Sequence, residues 1–106
     1  MAWGILLIAG LLEVGWAVGL KWTHGFSRFW PSLCVIVAMA SSLWLLAIAM
    51  RSLPVGTAYS VWVGIGAIGS VLLGIVVLDE PVSTGRLLSL VLIGIGILGV
   101  KMTTPA

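Results

Sequence analysis

The stretch Ala9-Gly10-Leu11-Leu12-Glu13-Val14-Gly15-Trp16-Ala17 lies midway along an apolar run from Met1 to Leu20. Glu13 is the only acidic residue in the first 78 positions, and no basic residue precedes Lys21. A run of this length suits a bilayer crossing, which takes about 20 helical residues. Glu13 then lies near the midplane, where an ionised side chain costs several kcal/mol. An acid retained at that depth is expected to bind an ion or a proton. The plainer alternative is a protonated carboxyl that only hydrogen-bonds to a neighbouring helix.

The rest of the chain agrees with a membrane location. Its 106 residues are 61% hydrophobic and 8% charged, and soluble domains carry about 25% charged residues. In water this chain would lack polar surface. The first stretch has no basic n-region and carries an acid, so it is not expected to be a cleavable signal. The formal charge of +2 comes from five basic residues near the predicted span ends and implies no nucleic-acid partner. Cys34 is the single cysteine, which rules out an intrachain disulfide; it reads as a small buried hydrophobe. No metal site, cofactor or enzyme activity is expected.

Punctuation divides the chain into four apolar lengths. The first closes at Lys21-Trp22-Thr23-His24-Gly25, and Trp30-Pro31 opens the second, since a proline is tolerated in the first helical turn. Arg51-Ser52 ends the second, Pro54 opens the third, and Asp79-Glu80-Pro81 ends it. The reading is one four-helix transmembrane domain over residues 1–106, with helices near 2–20, 30–50, 54–78 and 84–101. It is all-α and leaves no room for an extramembrane domain.

Gly64-Ile65-Gly66-Ala67-Ile68-Gly69 and Gly94-Ile95-Gly96-Ile97-Leu98-Gly99 both match the GxGxxG string of dinucleotide-binding proteins. Neither follows a strand or belongs to a βαβ unit, so the match is spurious. Small residues in a membrane helix allow close approach or soften it for bending. Gly64 and Gly66 are expected to form a bend; Gly94, Gly96 and Gly99 are expected to form a helix–helix contact between subunits.

With four spans, Arg51 and Lys101 share the side of the N-terminus, against Lys21, Arg28 and Arg86 on the other. The N-terminal amine nearly evens that count, leaving the positive-inside rule almost nothing to act on. Such a chain can insert in either direction. Many secondary transporters alternate access through inverted repeats, yet no internal repeat is evident here. A second identical chain in opposite orientation would supply the inverted half. The expected assembly is therefore an antiparallel, dual-topology homodimer, with a parallel dimer as the alternative.

Helical spacing puts Gly10, Trp16 and Ala17 on the face of Glu13. Gly10 is expected to leave space beside the carboxylate, and Trp16 to offer its indole N–H. Membrane tryptophans usually mark interfaces; Trp3, Trp22 and Trp30 fit that, whereas Trp16 and Trp62 sit well inside their spans. At about 1.5 Å per residue, Glu13 lies roughly 18 Å from the start of its helix, and Ser42 reaches a similar depth on the antiparallel second span. Tyr59 and Trp62 lie roughly 6–12 Å nearer the N-terminal side. Trp62 is expected to reach the carboxylate and Tyr59 to form a lip; Ser42 bonding only to backbone is the plainer alternative.

One carboxylate with hydroxyl and indole donors and aromatic faces suits a small organic cation, above all a planar one able to make parallel hydrogen bonds. The empty site is expected to hold a proton that the cation displaces. Protons, membrane lipid and the cation are thus the expected partners. Competition of both species for one carboxylate is the core of a proton-coupled antiporter.

These residues also carry a resemblance. Gly10-Leu11-Leu12-Glu13-Val14-Gly15-Trp16-Ala17 with Leu20-Lys21, Gly25-Phe26-Ser27-Arg28 with Pro31-Ser32, Leu53-Pro54-Val55-Gly56-Thr57-Ala58-Tyr59, and Trp62 to Gly66 together resemble the small multidrug resistance transporters. Trp16, Ser42 and Lys101 look like that family's guanidinium-exporting branch. The resemblance implies an antiparallel dimer of four-helix subunits in the bacterial inner membrane, exporting cations in exchange for protons. It assigns Glu13 as the shared carboxylate, Tyr59 and Trp62 as binding-site aromatics, and Gly64 and Gly66 as the bending segment. The implied cargo is guanidinium and small substituted guanidinium ions. A broader exporter of quaternary ammonium ions and drugs, and a non-transporting subunit of a heterodimer, are the competing readings; a proton-conducting pore would leave the aromatic residues unexplained.

Overall fold

The computed structural model describes residues 1–104. It contains four α-helices: α1 (Ala2–Gly19), α2 (Phe29–Ala49), α3 (Val55–Val77) and α4 (Thr84–Thr103). A single 3₁₀ turn, Leu20–Thr23, extends α1. All four helices are long and apolar enough to cross a membrane. At about 1.5 Å per residue, the 23 residues of α3 span roughly 34 Å.

The connections are short and self-satisfied. Thr23, almost fully buried, donates from Oγ1 to the Leu20 carbonyl at 2.7 Å and accepts the Phe26 amide at 3.2 Å. Its carbonyl accepts the Ser27 and Arg28 amides at 2.9 and 3.1 Å. His24, Gly25 and Phe26 all take positive φ here, which reverses the chain within a few residues. Pro31 falls in the first turn of α2, where its missing N–H leaves no bond unmade. Pro54 is the N-cap of α3, and its carbonyl accepts the Ala58 amide at 3.0 Å. Ser83 caps α4, accepting the Arg86 amide on Oγ at 3.1 Å.

Helix α1 lies between α2 and α3, while α4 packs along α3. The result is a slab with extents of 43 × 34 × 17 Å. Its core gathers Leu6, Ala9, Leu46, Ala49, Leu53, Ala58, Val61 and Trp62. These lie towards one end, where α1 and α3 begin and α2 finishes. That end also holds the C-terminal part of α4: Lys101 Nζ stands 5.5 Å over the Trp3 ring, and the Thr57 and Thr104 hydroxyls are 3.0 Å apart.

One residue differs from its sequence reading. Cys34 is exposed on the surface of the helix bundle rather than buried; in a bilayer a thiol needs no protein around it, since lipid is equally apolar. Helix α3 runs unbroken through Gly64 and Gly66. What those glycines provide in this conformation is close approach: an added Cβ at Gly64 would lie 2.6 Å from Ile97 Cδ1.

Candidate functional site

Glu13 sits mid-way along α1, half-buried, with its side chain laid against α3. Gly66 makes that possible. A Cβ there would overlap the carboxylate and fall 2.9 Å from Glu13 Cγ. The missing methyl group therefore forms a seat for the acid on bare helix backbone. Gly69, one turn on, admits Val14 in the same manner.

The space beside Gly10 is not open to the carboxylate. Ile65 occupies it, its Cγ2 standing 2.7 Å from where a Gly10 Cβ would be. Gly10 thus lets α1 and α3 approach closely enough for Glu13 to reach Gly66.

Ser42 and Trp62 are buried together at the junction of three helices. Trp62 Nε1 donates to Ser42 Oγ at 3.0 Å, and Ser42 Oγ donates to the Ala9 carbonyl at 2.7 Å. In a helix the Ala9 carbonyl also takes the amide of residue 13. The two bonds thus tie α3 to α2 and α2 to α1 at the turn that carries Glu13. Neither donor bonds to the carboxylate here, unlike the sequence expectation. Ala9 offers Ser42 a fixed acceptor directly across the α1–α2 crossing. Tyr59 is exposed, with its ring centroid 5.8 Å from that of Trp62. It borders the polar chain from outside.

Two buried polar atoms are left over among the described residues: Glu13 Oε1 and Trp16 Nε1 have no hydrogen-bond partner. One is an acceptor and the other a donor, one turn apart on α1. An unmet buried polar atom costs about 1–3 kcal/mol. A proton on the carboxyl, or a cation bearing N–H groups beside it, relieves that cost at Glu13. No cluster of metal-ligating side chains exists among the described residues.

Helix α4 contributes nothing to this site. Only Leu90 on it is buried, while Leu88, Val91, Leu92, Ile95 and Leu98 are exposed. An added Cβ at Gly94 would only touch Ile68 at 3.9 Å, and at Gly96 or Gly99 it would meet nothing within 4 Å. Within this chain Gly96 and Gly99 face open space.

Comparison with known proteins agrees with this arrangement. A family model described as Small Multidrug Resistance protein matches residues 1–93. A guanidinium exporter of Yersinia pseudotuberculosis is 62% identical over 104 residues, which cover 98% of this chain and all of that protein. Guanidinium exporters of Escherichia coli and Citrobacter freundii are 62% and 60% identical, covering 98% of this chain and 99% of each relative. An apolar four-helix chain matched along almost its whole length by such exporters is a multi-pass inner-membrane transport protein, and the chain belongs to the small multidrug resistance family.

Proposed function

We infer that this chain is a proton-coupled antiporter that exports guanidinium and small substituted guanidinium ions. The observation that carries this reading is Glu13 itself: a carboxylate at membrane depth, seated on Gly66, with one buried oxygen lacking any partner. The named activity of relatives about 60% identical supplies the choice of cation. A guanidinium ion is flat and carries N–H donors in the fork geometry that carboxylates pair with in parallel. It can lie against the helix backbone where no side chain intervenes.

The mechanism follows from the carboxylate's limited capacity. With no cation present, protonation relieves the cost of a midplane charge. An arriving guanidinium brings its own charge and donors, and the proton leaves because both would compete for the same oxygens. On the opposite side of the membrane the exchange runs in reverse. The Trp62–Ser42–Ala9 chain keeps α1, α2 and α3 in register while this happens, and Trp16 Nε1 remains free to donate.

Two copies in opposite orientation complete the reading. The nearly even distribution of positive charge between the two ends, counting the N-terminal amine, supports insertion in both directions. The uncovered Gly96 and Gly99 on α4 support a partner helix at that face. Each subunit then brings one Glu13 to a shared midplane site.

Purified protein in liposomes tests this. Guanidinium should enter in a saturable manner only when protons move outward, and removing the proton gradient should remove net accumulation. Transport of tetraalkylammonium without guanidinium would favour the broader drug exporter, and no saturable flux of any cation would favour a non-transporting subunit.

A further inference from the structure

Glu13 is not alone in lying on a glycine. Glu80, in the loop between α3 and α4, does the same at Gly74, where an added Cβ would overlap its carboxylate. Asp79 takes a left-handed φ of 54°, and the Glu80 amide donates to the Gly74 carbonyl at 3.1 Å. With Asp79 left-handed, this bond across six residues folds the chain back over the end of α3.

A groove runs from the Gly74 seat towards the Gly66 seat. Gly66, Ser70 and Gly74 share one face of α3, as Glu13, Ala17 and Lys21 share one face of α1 and its final turn. Between those faces lies a cavity of about 270 Å³, bordered by Ala17, Lys21, Ser70, Gly74 and Glu80 among others. It starts one helical turn from the Glu13–Gly66 contact and ends at Glu80, which lies about 12 Å from that contact along the helix axes. Lys21 is exposed at the rim, where its long stem lets the ammonium turn towards headgroups.

Glu80 already holds a guanidinium group, that of Arg86. Arg86 Nη2 stands 3.7 Å from Glu80 Oε1, with both side chains 36% exposed. A single long contact of that exposure contributes little. Arg86 has a better partner in the Pro81 carbonyl, to which Nη1 donates at 2.6 Å. A free guanidinium ion offers the same planar fork and can make the parallel pair that Arg86 does not make.

We propose that Glu80 is an outer station for guanidinium-type cations on the route to Glu13, where the incoming ion displaces Arg86 from the carboxylate. This rests on the reading of the protein as a guanidinium exporter. Arg86 acts there as a tethered competitor that keeps the outer station weak.

The chain has two glutamates, Glu13 and Glu80, so ¹³C labelling of glutamate carboxyl carbons gives one resonance for each. Glu13→Gln leaves Glu80 alone. In lipid nanodiscs, guanidinium chloride should shift the Glu80 resonance of that variant in a saturable manner, with an affinity about tenfold or more below that of Glu13 in the unaltered chain. Arg86→Gln should tighten this binding several-fold, and Gly74→Ala, which displaces the carboxylate, should weaken it. Sodium chloride should give no saturable shift. A Glu80 resonance no more responsive to guanidinium than to sodium, while Glu13 responds, overturns the proposal and leaves the exporter reading standing. If Glu13 in the unaltered chain is equally silent and liposomes take up no guanidinium, the exporter reading fails and the proposal falls with it.

Discussion

Helices α3 and α4 carry the same glycine spacing, Gly64-x-Gly66-x-x-Gly69 and Gly94-x-Gly96-x-x-Gly99, in opposite surroundings. In the α3 string all three missing side chains are used within the chain: Ile97 fills the space at Gly64, Glu13 at Gly66 and Val14 at Gly69. On α4 the corresponding positions are almost untouched. One string serves to bring an acid onto bare backbone; the other presents a smooth apolar face to whatever lies outside. A glycine pattern in a membrane helix therefore marks close approach without saying what approaches.

The sharpest way to break this contrast is to add one methyl group to each helix. Gly66→Ala should displace the Glu13 carboxylate and reduce guanidinium transport in liposomes by about tenfold or more, with helical circular dichroism unchanged. Near-normal transport would mean that the seat on Gly66 is incidental.

On α4 a larger side chain is needed to obtain an effect. Gly96→Leu, with Gly99→Leu as its companion, should leave the subunit folded, because nothing in the subunit stands within 4 Å of an added Cβ. If a second copy covers that face, both variants should shift the protein from dimer to monomer in detergent and lose transport in parallel. Unchanged association would assign the face to lipid.

A smaller effect is expected at the junction that holds the three helices in register. Ser42→Ala removes the acceptor of Trp62 Nε1 and the donor to Ala9, leaving a buried indole N–H unmet. The cost should be about 1–3 kcal/mol in unfolding free energy, read from denaturant titration in micelles, with weaker guanidinium transport. Gly64→Ala should cost about 1–3 kcal/mol by overpacking against Ile97. Combining it with Ile97→Ala should recover part of that loss, since the second change removes the atoms in the way.

The four spans were legible because length and apolarity alone define them, and so was the lone acid within the first. What the sequence withheld is rotation about each helix axis. These helices are apolar all round, so no amphipathic stripe announces which face packs inward. Depth arithmetic put Ser42 at a level close to Glu13, yet only the fold shows that its hydroxyl meets the Ala9 carbonyl and takes the Trp62 indole. Gly10 read as room for the carboxylate, but Ile65 takes that room. Gly66 read as a bend, and its contact with Glu13 depends on how α1 is turned towards α3. Cys34 read as buried for want of the same information.

The proposed exchange needs one carboxyl group, that of Glu13, to accept a proton or a planar cation by exclusion. Proton release on cation binding tests it most directly, followed with a pH indicator in weakly buffered micelles near neutral pH. Guanidinium added to the unaltered protein should release protons in proportion to the bound cation, and its apparent affinity should tighten as pH rises. Glu13→Gln should release none. Guanidinium that binds without proton release, or release that persists in Glu13→Gln, would contradict the account.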